Sequence, residues 1–278
     1  MGLGTNHQTV TTGANFIPEI WSKEVQRATE ANLVAANLVK RFDADVKSKG
    51  DTIHVPKISN LSATAKSAST AVTFSSPTED KIDISISNHY HIAFIIEDIL
   101  DAQSQYMIAE EYKGKASYGL SKQVDTDVLG LYTNITQSVG TAGTPPSDPN
   151  ILRAIQYLDD ADAPMADRAF IMAPALKAAL LAIDKYVSQD FTGMDLPVKT
   201  GVFGQRYGIP FYVSTNVPTS GGNPINQLIH KEAYALAMQK DVTIRQQYVI
   251  DFLGNATVAQ VLYGVAAYRT TFGVQVLS

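Results

Sequence analysis

Two apolar-alternating runs flank a long polar stretch in the first third of the chain. Gly50-Asp51-Thr52-Ile53-His54-Val55-Pro56-Lys57-Ile58 reads as one strand. Lys81-Ile82-Asp83-Ile84-Ser85-Ile86, continuing into Ile92-Ala93-Phe94-Ile95-Ile96, reads as its return. Between them Ser59 to Pro77 is rich in Ser, Thr and Ala and holds few large apolar residues. A two-stranded ribbon of this kind is marginal alone in water, because it has one face to bury and no further layer to bury it against. Its most natural partner is a second copy of the same chain. The ribbon therefore points to a protein that works by association rather than to a self-contained enzyme.

The rest of the chain is long enough to fold around such an arm. Its 278 residues, 45% of them apolar, suffice for one large core or two moderate ones. No apolar run approaches the roughly 20 residues needed to cross a bilayer. The start, Met1-Gly2-Leu3-Gly4-Thr5-Asn6, lacks the basic and apolar regions of a signal peptide, and Asn6 stands where an acylation signal needs Ser or Thr. The expectation is a chain made in the cytosol, beginning at its own Met rather than at a cleavage site. With no cysteine there is no disulfide framework, thiolate metal site, iron–sulfur cluster or cysteine nucleophile. A net charge of -5, with no Lys/Arg cluster longer than a pair, argues against a large nucleic-acid-binding surface. The sequons at Asn60, Asn134 and Asn255 read as chance occurrences in a chain without a signal peptide.

Along the chain, residues 1 to 15 read as a polar arm. Pro18 then opens a broken helical pattern through Ile20, Trp21, Val25, Ala28 and Leu33 to Leu38, with the lone tryptophan as an apolar anchor. After the ribbon, Glu97-Asp98 opens a helical stretch that becomes regular from Ile108 to Ile135. Tyr112, Ala116, Leu120, Val124, Val128, Leu131 and Ile135 form one apolar stripe, and Glu110, Lys113, Lys122, Asp125 and Asp127 are expected on the solvated side. Such a helix spans roughly 40 Å, long enough to act as a spine. Residues 140 to 149, rich in Gly and Pro, read as a domain boundary. Helices at Ile151–Leu158 and Ala175–Asp184 then flank a strand at Arg168–Met172, forming an α+β module. Gly201 to Pro218 reads as a glycine-rich turn leading into a strand, and further strands are expected at Leu228–His230, Val242–Arg245, Gln260–Tyr268 and Val274–Val276, with Tyr234–Met238 a short helix or strand. The chain has no internal repeat.

Few residues could carry chemistry. His89 and His91 are two apart, hence on one face of a strand, and His54 could lie on the partner strand, which makes a metal site conceivable. Asp159, Asp160 and Asp162, and Glu110 with Glu111, offer paired carboxylates but sit at helix ends, where solvated acids are common. Gly114-Lys115 lacks the spacing of a phosphate-binding loop, and Gly201, Gly204 and Gly208 lack dinucleotide-binding spacing. Those glycines read as tight turns. No catalytic, cofactor-binding or metal-ligating residue is assigned, no cofactor is expected, and the chain is read as not an enzyme.

Several phrases, in this order, resemble the major capsid proteins of tailed bacteriophages, the HK97-like fold. They are Asn15-Phe16-Ile17-Pro18-Glu19-Ile20-Trp21-Ser22, Lys49-Gly50-Asp51-Thr52-Ile53-His54-Val55-Pro56, Gln123-Val124-Asp125-Thr126-Asp127-Val128-Leu129, Gly208-Ile209-Pro210-Phe211-Tyr212-Val213-Ser214-Thr215-Asn216 and His230-Lys231-Glu232-Ala233-Tyr234-Ala235. The resemblance implies an α+β fold with an N-terminal arm and helix (1–48) and an extended β-hairpin, the E-loop (49–96). It further implies a peripheral domain on the spine helix (97–148 and 241–278) and an α/β axial domain (149–240). It implies copies joined into pentamers and hexamers of an icosahedral phage head enclosing double-stranded DNA, with E-loops lying over neighbours. Assembly would take place in the bacterial host cytoplasm, with a scaffolding protein and a portal as partners, only non-specific proximity to DNA and no membrane. Some relatives join an E-loop lysine covalently to another subunit's asparagine; Lys57 and Lys66 lie in or beside the arm, but no full reactive set matches and no cross-link is expected. The alternatives are an encapsulin-type compartment shell, or a cytosolic α+β enzyme with a dimerisation arm.

Overall fold

The computed structural model describes residues 33–46, 50–58, 61–72, 74, 79–99, 108–183, 186 and 204–278. The segment holding Trp21 and most of the expected first helix lies outside them.

The long strands β11 (Tyr234–Val249) and β12 (Gly254–Ala267) pair antiparallel and form the centre of the first sheet. Strand β4 (Asn88–Glu97) pairs with β12 over its whole length, and the two-residue β1 (Lys40–Arg41) adds parallel to β11 at Ala235 and Leu236. The order is β1-β11-β12-β4. One face of this sheet carries the spine helix α2 (Ile108–Gly130), after the short α1 (Asp43–Val46). Ala116, Leu120, Val124 and Val128 of α2 are buried, as the apolar spacing requires. Tyr112 of the same stripe is exposed and stacks at 5.7 Å on Phe94 of β4. At 23 residues the helix spans about 35 Å. It stops at Gly130 and tightens into a 3-10 turn over Leu131–Asn134, so the last turn of the expected helix is wound differently.

The second sheet runs β5 (Ser138–Val139), β13 (Gly273–Leu277), β10 (Asn223–His230), β6 (Arg168–Met172), β8 (Ile209–Val213) and β7 (Gln205–Arg206), with β9 (Thr219–Ser220) pairing β10. Helices α3 (Asp148–Asp160) and α4 (Pro174–Leu181) accompany it. Strand β6 is buried at all five residues and pairs parallel with β8 and antiparallel with β10, the signature of a central strand covered on both faces. One continuous core joins both sheets through α2, from Val124 and Leu120 to Phe170, Leu228, Tyr263 and Val274.

Three expectations meet the structure differently. The segment 234–249 is one strand, so the expected boundary at 240/241 falls inside β11. The last strand, β13, pairs with β10 and with β5 rather than with the strands of the first sheet. The ribbon's return is also shorter than the sequence pattern: β3 (Glu79–Ser85) ends where Ile86 and Ser87 break the strand, and β4 joins the other sheet. The physical reason is burial. Ile92 and Phe94 pack against the large core between β12 and α2, which a two-stranded ribbon cannot offer, and Ile96 is buried on the same strand.

Candidate functional site

The arm consists of β2 (Thr52–Ile58) and β3, paired antiparallel from Thr52↔Ser85 to Ile58↔Glu79. The bond from Ile86 N to Asp51 O (2.7 Å) sets the phase of the ladder, and it places the missing N–H of Pro56 on the outer edge, where no ladder bond is lost. One face carries Ile53, Val55, Ile82 and Ile84. That face rests at its base on a small second core of Val46, Ile84, Ile86, Ala235 and Ala237, with Phe42, Leu262, Ala266 and Tyr268 around it. The β11–β12 sheet is thus covered by α2 on one side and by the arm's base on the other. Gly264 of β12 makes this approach possible, because a Cβ there would collide with the carbonyl of Ser85.

Beyond the base the described residues of the arm are open to solvent. Ile58 is 81% exposed, Leu61 72% and Phe74 93%, and every described residue from 61 to 72 is exposed. On the outer face His54 Nδ1 lies 2.5 Å from Asp83 Oδ1, and Lys81 Nζ 3.2 Å from Asp83 Oδ2. The His54 hydrogen bond, foremost, together with the Lys81 contacts holds the Asp83 carboxyl below its usual range against the opposing effect of desolvation.

A second apolar patch lies at the opposite end of the first sheet, at the β11–β12 turn. Ile250, Phe252 and Leu253 are exposed there, with Tyr248, Ile95 and Ile99. The turn is tied down rather than loose. Leu253 holds a left-handed conformation (φ 41°), its carbonyl accepts Asp98 N at 3.0 Å, and Tyr248 OH donates to Asp98 Oδ2 at 2.8 Å. Exposed apolar patches rimmed by polar groups mark surfaces that meet other molecules.

The residues considered for chemistry are not brought together. His54 is on the arm, whereas His89 and His91 are on β4, which pairs with β12. His89 Nε2 lies 3.4 Å from Gln260 Oε1, and no group of three or more metal-ligating side chains occurs among the described residues. Asp159 pairs at 2.7 Å with the buried Arg168, and Glu110 at 2.7 Å with Lys113. Gly204 and Gly208 have positive φ at the β7–β8 hairpin, as tight turns require; Gly201 lies outside the described residues.

The polar residues that organise the molecule are others. Asp125, expected on the solvated side of α2, is fully buried. Burial pushes its carboxyl above the usual range, opposed by the donors around it. Asp127, also expected outside, accepts Tyr263 OH at 2.6 Å and Gln123 Nε2 at 2.8 Å. Burial and this bond push the Tyr263 hydroxyl up. In the second sheet Gln227, fully buried, donates to Leu129 O at 2.9 Å and accepts from Tyr234 OH at 2.9 Å. The available sequence signal was position: Asp125 and Asp127 interleave with the stripe residues Val124 and Val128.

The family model described as phage capsid protein matches residues 93–275, from β4 to β13. The chain belongs to this phage capsid protein family. No curated protein matches it. Among solved structures, the capsid protein superposes on a chain from Mycobacterium phage Che8 with a TM-score of 0.82 at 23% identity, covering 94% of this chain and 97% of that one. It also superposes on the capsid structure of Cyanophage P-SCSP1u, with a TM-score of 0.80 at 16% identity, covering 99% and 96%. A third match is the capsid of a native GTA particle, with a TM-score of 0.73 at 11% identity, covering 99% of both chains. The fold of the capsid protein is HK97-like. Its role is structural, as a phage capsid protein.

Proposed function

We propose that this capsid protein forms pentamers and hexamers that close into a phage head around double-stranded DNA, and that the distal arm is laid over a neighbouring copy. The single observation that carries the arm's role is its division into a buried base and an exposed end, from Ile84 at 0% to Ile58 at 81% and Phe74 at 93%. The base fixes the direction of the arm, and the end supplies apolar surface for another molecule to cover. The arm and the β11–β12 turn are different surfaces, so contacts between copies are head-to-tail, and such contacts close into rings when the rotation allows. Individual contacts of a few kcal/mol suffice, because closure multiplies them per subunit.

In this reading the arm is residues 50–86, the peripheral unit combines 88–135 with 234–267, and the axial unit combines 136–230 with 270–278. The pairing of β4 with β12 and of β13 with β10 supports these boundaries over a cut at 240. Assembly proceeds in the host cytoplasm with a scaffolding protein and a portal. The test is electron microscopy after size-exclusion chromatography, on the full chain and on a deletion of residues 59–77. The full chain, expressed with its scaffolding partner, is expected to give closed particles or rings of five and six, and the deletion a folded subunit that does not close. Normal shells from the deletion would overturn the arm's role.

A further inference from the structure

Three consecutive residues of α2 hold four separate parts of the chain. Asp125 Oδ1 accepts the backbone N–H groups of Ala35 (2.7 Å) and Ala36 (3.3 Å), at the start of the segment that leads into β1. Its other oxygen, Oδ2, accepts Asn216 Nδ2 at 3.3 Å, from the connection between β8 and β9. Thr126 Oγ1 donates to Asn216 Oδ1 at 3.1 Å, and Asn216 Nδ2 also reaches Lys122 O at 3.4 Å. Asp127 turns the other way and binds Tyr263 of β12 and Asn88 of β4.

Asp125 is fully buried, and the groups that favour its charged form are hydrogen-bond donors, with Asn216 the foremost and the backbone of 34–36 next. A buried carboxylate in this position is held by a small, fixed set of donors, and its desolvation must be offset by all of them together. Removing one donor leaves the others binding a carboxylate that draws in water. Water can reach it only where something moves, and the lightest covering piece is the segment 34–37, a single 3-10 turn followed by a two-residue strand.

We propose that Asp125 and Asn216 form a latch that couples two distant segments, so that the turn at 34–37 is held less firmly on the spine helix once the loop 214–218 leaves it, while Lys40 and Arg41 stay paired with β11 in either case. The two segments belong to different sheets, and Asn216 bonds the spine helix and Ser214. Displacement of the loop in the second sheet therefore loosens the segment on the first. The latch is a property of the folded chain and stands independently of how copies associate.

The test is amide hydrogen exchange on the full-length chain, with wild type and variants compared in the same assembly state as checked by sedimentation. N216A removes hydrogen bonds to the spine helix and none of those made by residues 34–41. It is expected to speed exchange at the Ala35 and Ala36 amides by about tenfold, the effect of losing one hydrogen bond to a charged group. Exchange at Leu228 and Ile229 in β10 should be unchanged. T126V removes the bond to Asn216 together with the hydroxyl's bond to Lys122 O one turn back in the same helix (2.9 Å), at an exposed position, and is expected to act in the same direction more weakly; it carries the test if N216A does not fold. D125N keeps an oxygen for Ala35 and Ala36 but sets an amide NH2 against that of Asn216, so exchange at the Asn216 amide should rise. Unchanged exchange at Ala35 and Ala36 in both N216A and T126V overturns the latch. Equal acceleration in β10 also overturns it, because the loss is then global.

Discussion

Replacing Ile84 and replacing Phe74 should have opposite consequences, although both are large apolar residues of or beside the same arm. Ile84 is completely buried in the small core under the arm's base. Truncating a buried isoleucine to alanine costs about 2–5 kcal/mol, and in a satellite core with so few partners the lower part of that range, about 2–3 kcal/mol, applies. I84A should therefore lower the midpoint of urea unfolding of the unassembled subunit. Phe74 is 93% exposed, so F74S should leave that midpoint unchanged within about 0.5 kcal/mol. Nearly all of the burial free energy of Phe74 is still available to association. Covering one such side chain contributes about 2 kcal/mol, equivalent to roughly a 30-fold change in the association constant of each contact. Light scattering at matched subunit concentration should show F74S needing a correspondingly higher concentration to assemble. The reasoning fails if F74S unfolds as easily as I84A, or if it assembles at the wild-type concentration.

Other perturbations probe the supports of the fold. Y234F leaves the buried Gln227 oxygen without its donor and should cost about 1–3 kcal/mol in chemical denaturation. G264V sets a side chain against the Ser85 carbonyl and should unseat the arm's base, seen as faster tryptic cleavage after Lys57 and Lys81 with the central sheets intact. The Glu232 carboxyl is held below its ordinary 4.5 first by the hydrogen bond from Lys40 (2.7 Å), with Arg269 adding to it against partial burial. The contribution is thus present above the ordinary carboxylate range and disappears as pH falls through the lowered folded value. E232Q should be about 0.5 kcal/mol less stable than wild type at pH 7 and low salt, and equal to it in strong acid, as followed by thermal melts across pH.

The elements that declared themselves in the sequence are those with a strong local period. The stripe Ala116, Leu120, Val124 and Val128 fixes α2, and the unbroken Arg168–Met172 run fixes β6. The arm was legible too, because alternation at 52–58 and 81–85 leaves no other reading. Its end point was not. Ile92, Phe94 and Ile96 alternate as well as any ribbon strand, and which partner they choose depends on the size of the core available, a property of distant residues in α2 and β12. The Tyr234–Met238 run was ambiguous for the same reason, since five residues fit either period before pairing with 263–267 decides. Asp125 and Asp127 were placed outside because an acid on a helix is ordinarily solvated. Their enclosure depends on donors 39 to 136 residues away, such as Asn88, Ala35 and Tyr263, and no local pattern marks such partners.

The order in which the arm and its seat are made has a consequence for biosynthesis. β2 and β3 leave the ribosome early, whereas Ala235, Ala237, Leu262 and Ala266, on which their base rests, follow only after α2, α3, β6 and β10 have been translated. β4 likewise waits for β12, its partner along all ten residues. A nascent chain thus carries an undocked arm with no fixed direction, and aims it only when the last third of the polypeptide has emerged. Polysomes crowd many unfinished copies together, and in this protein the surface that would join them is oriented only in a subunit whose synthesis is nearly complete.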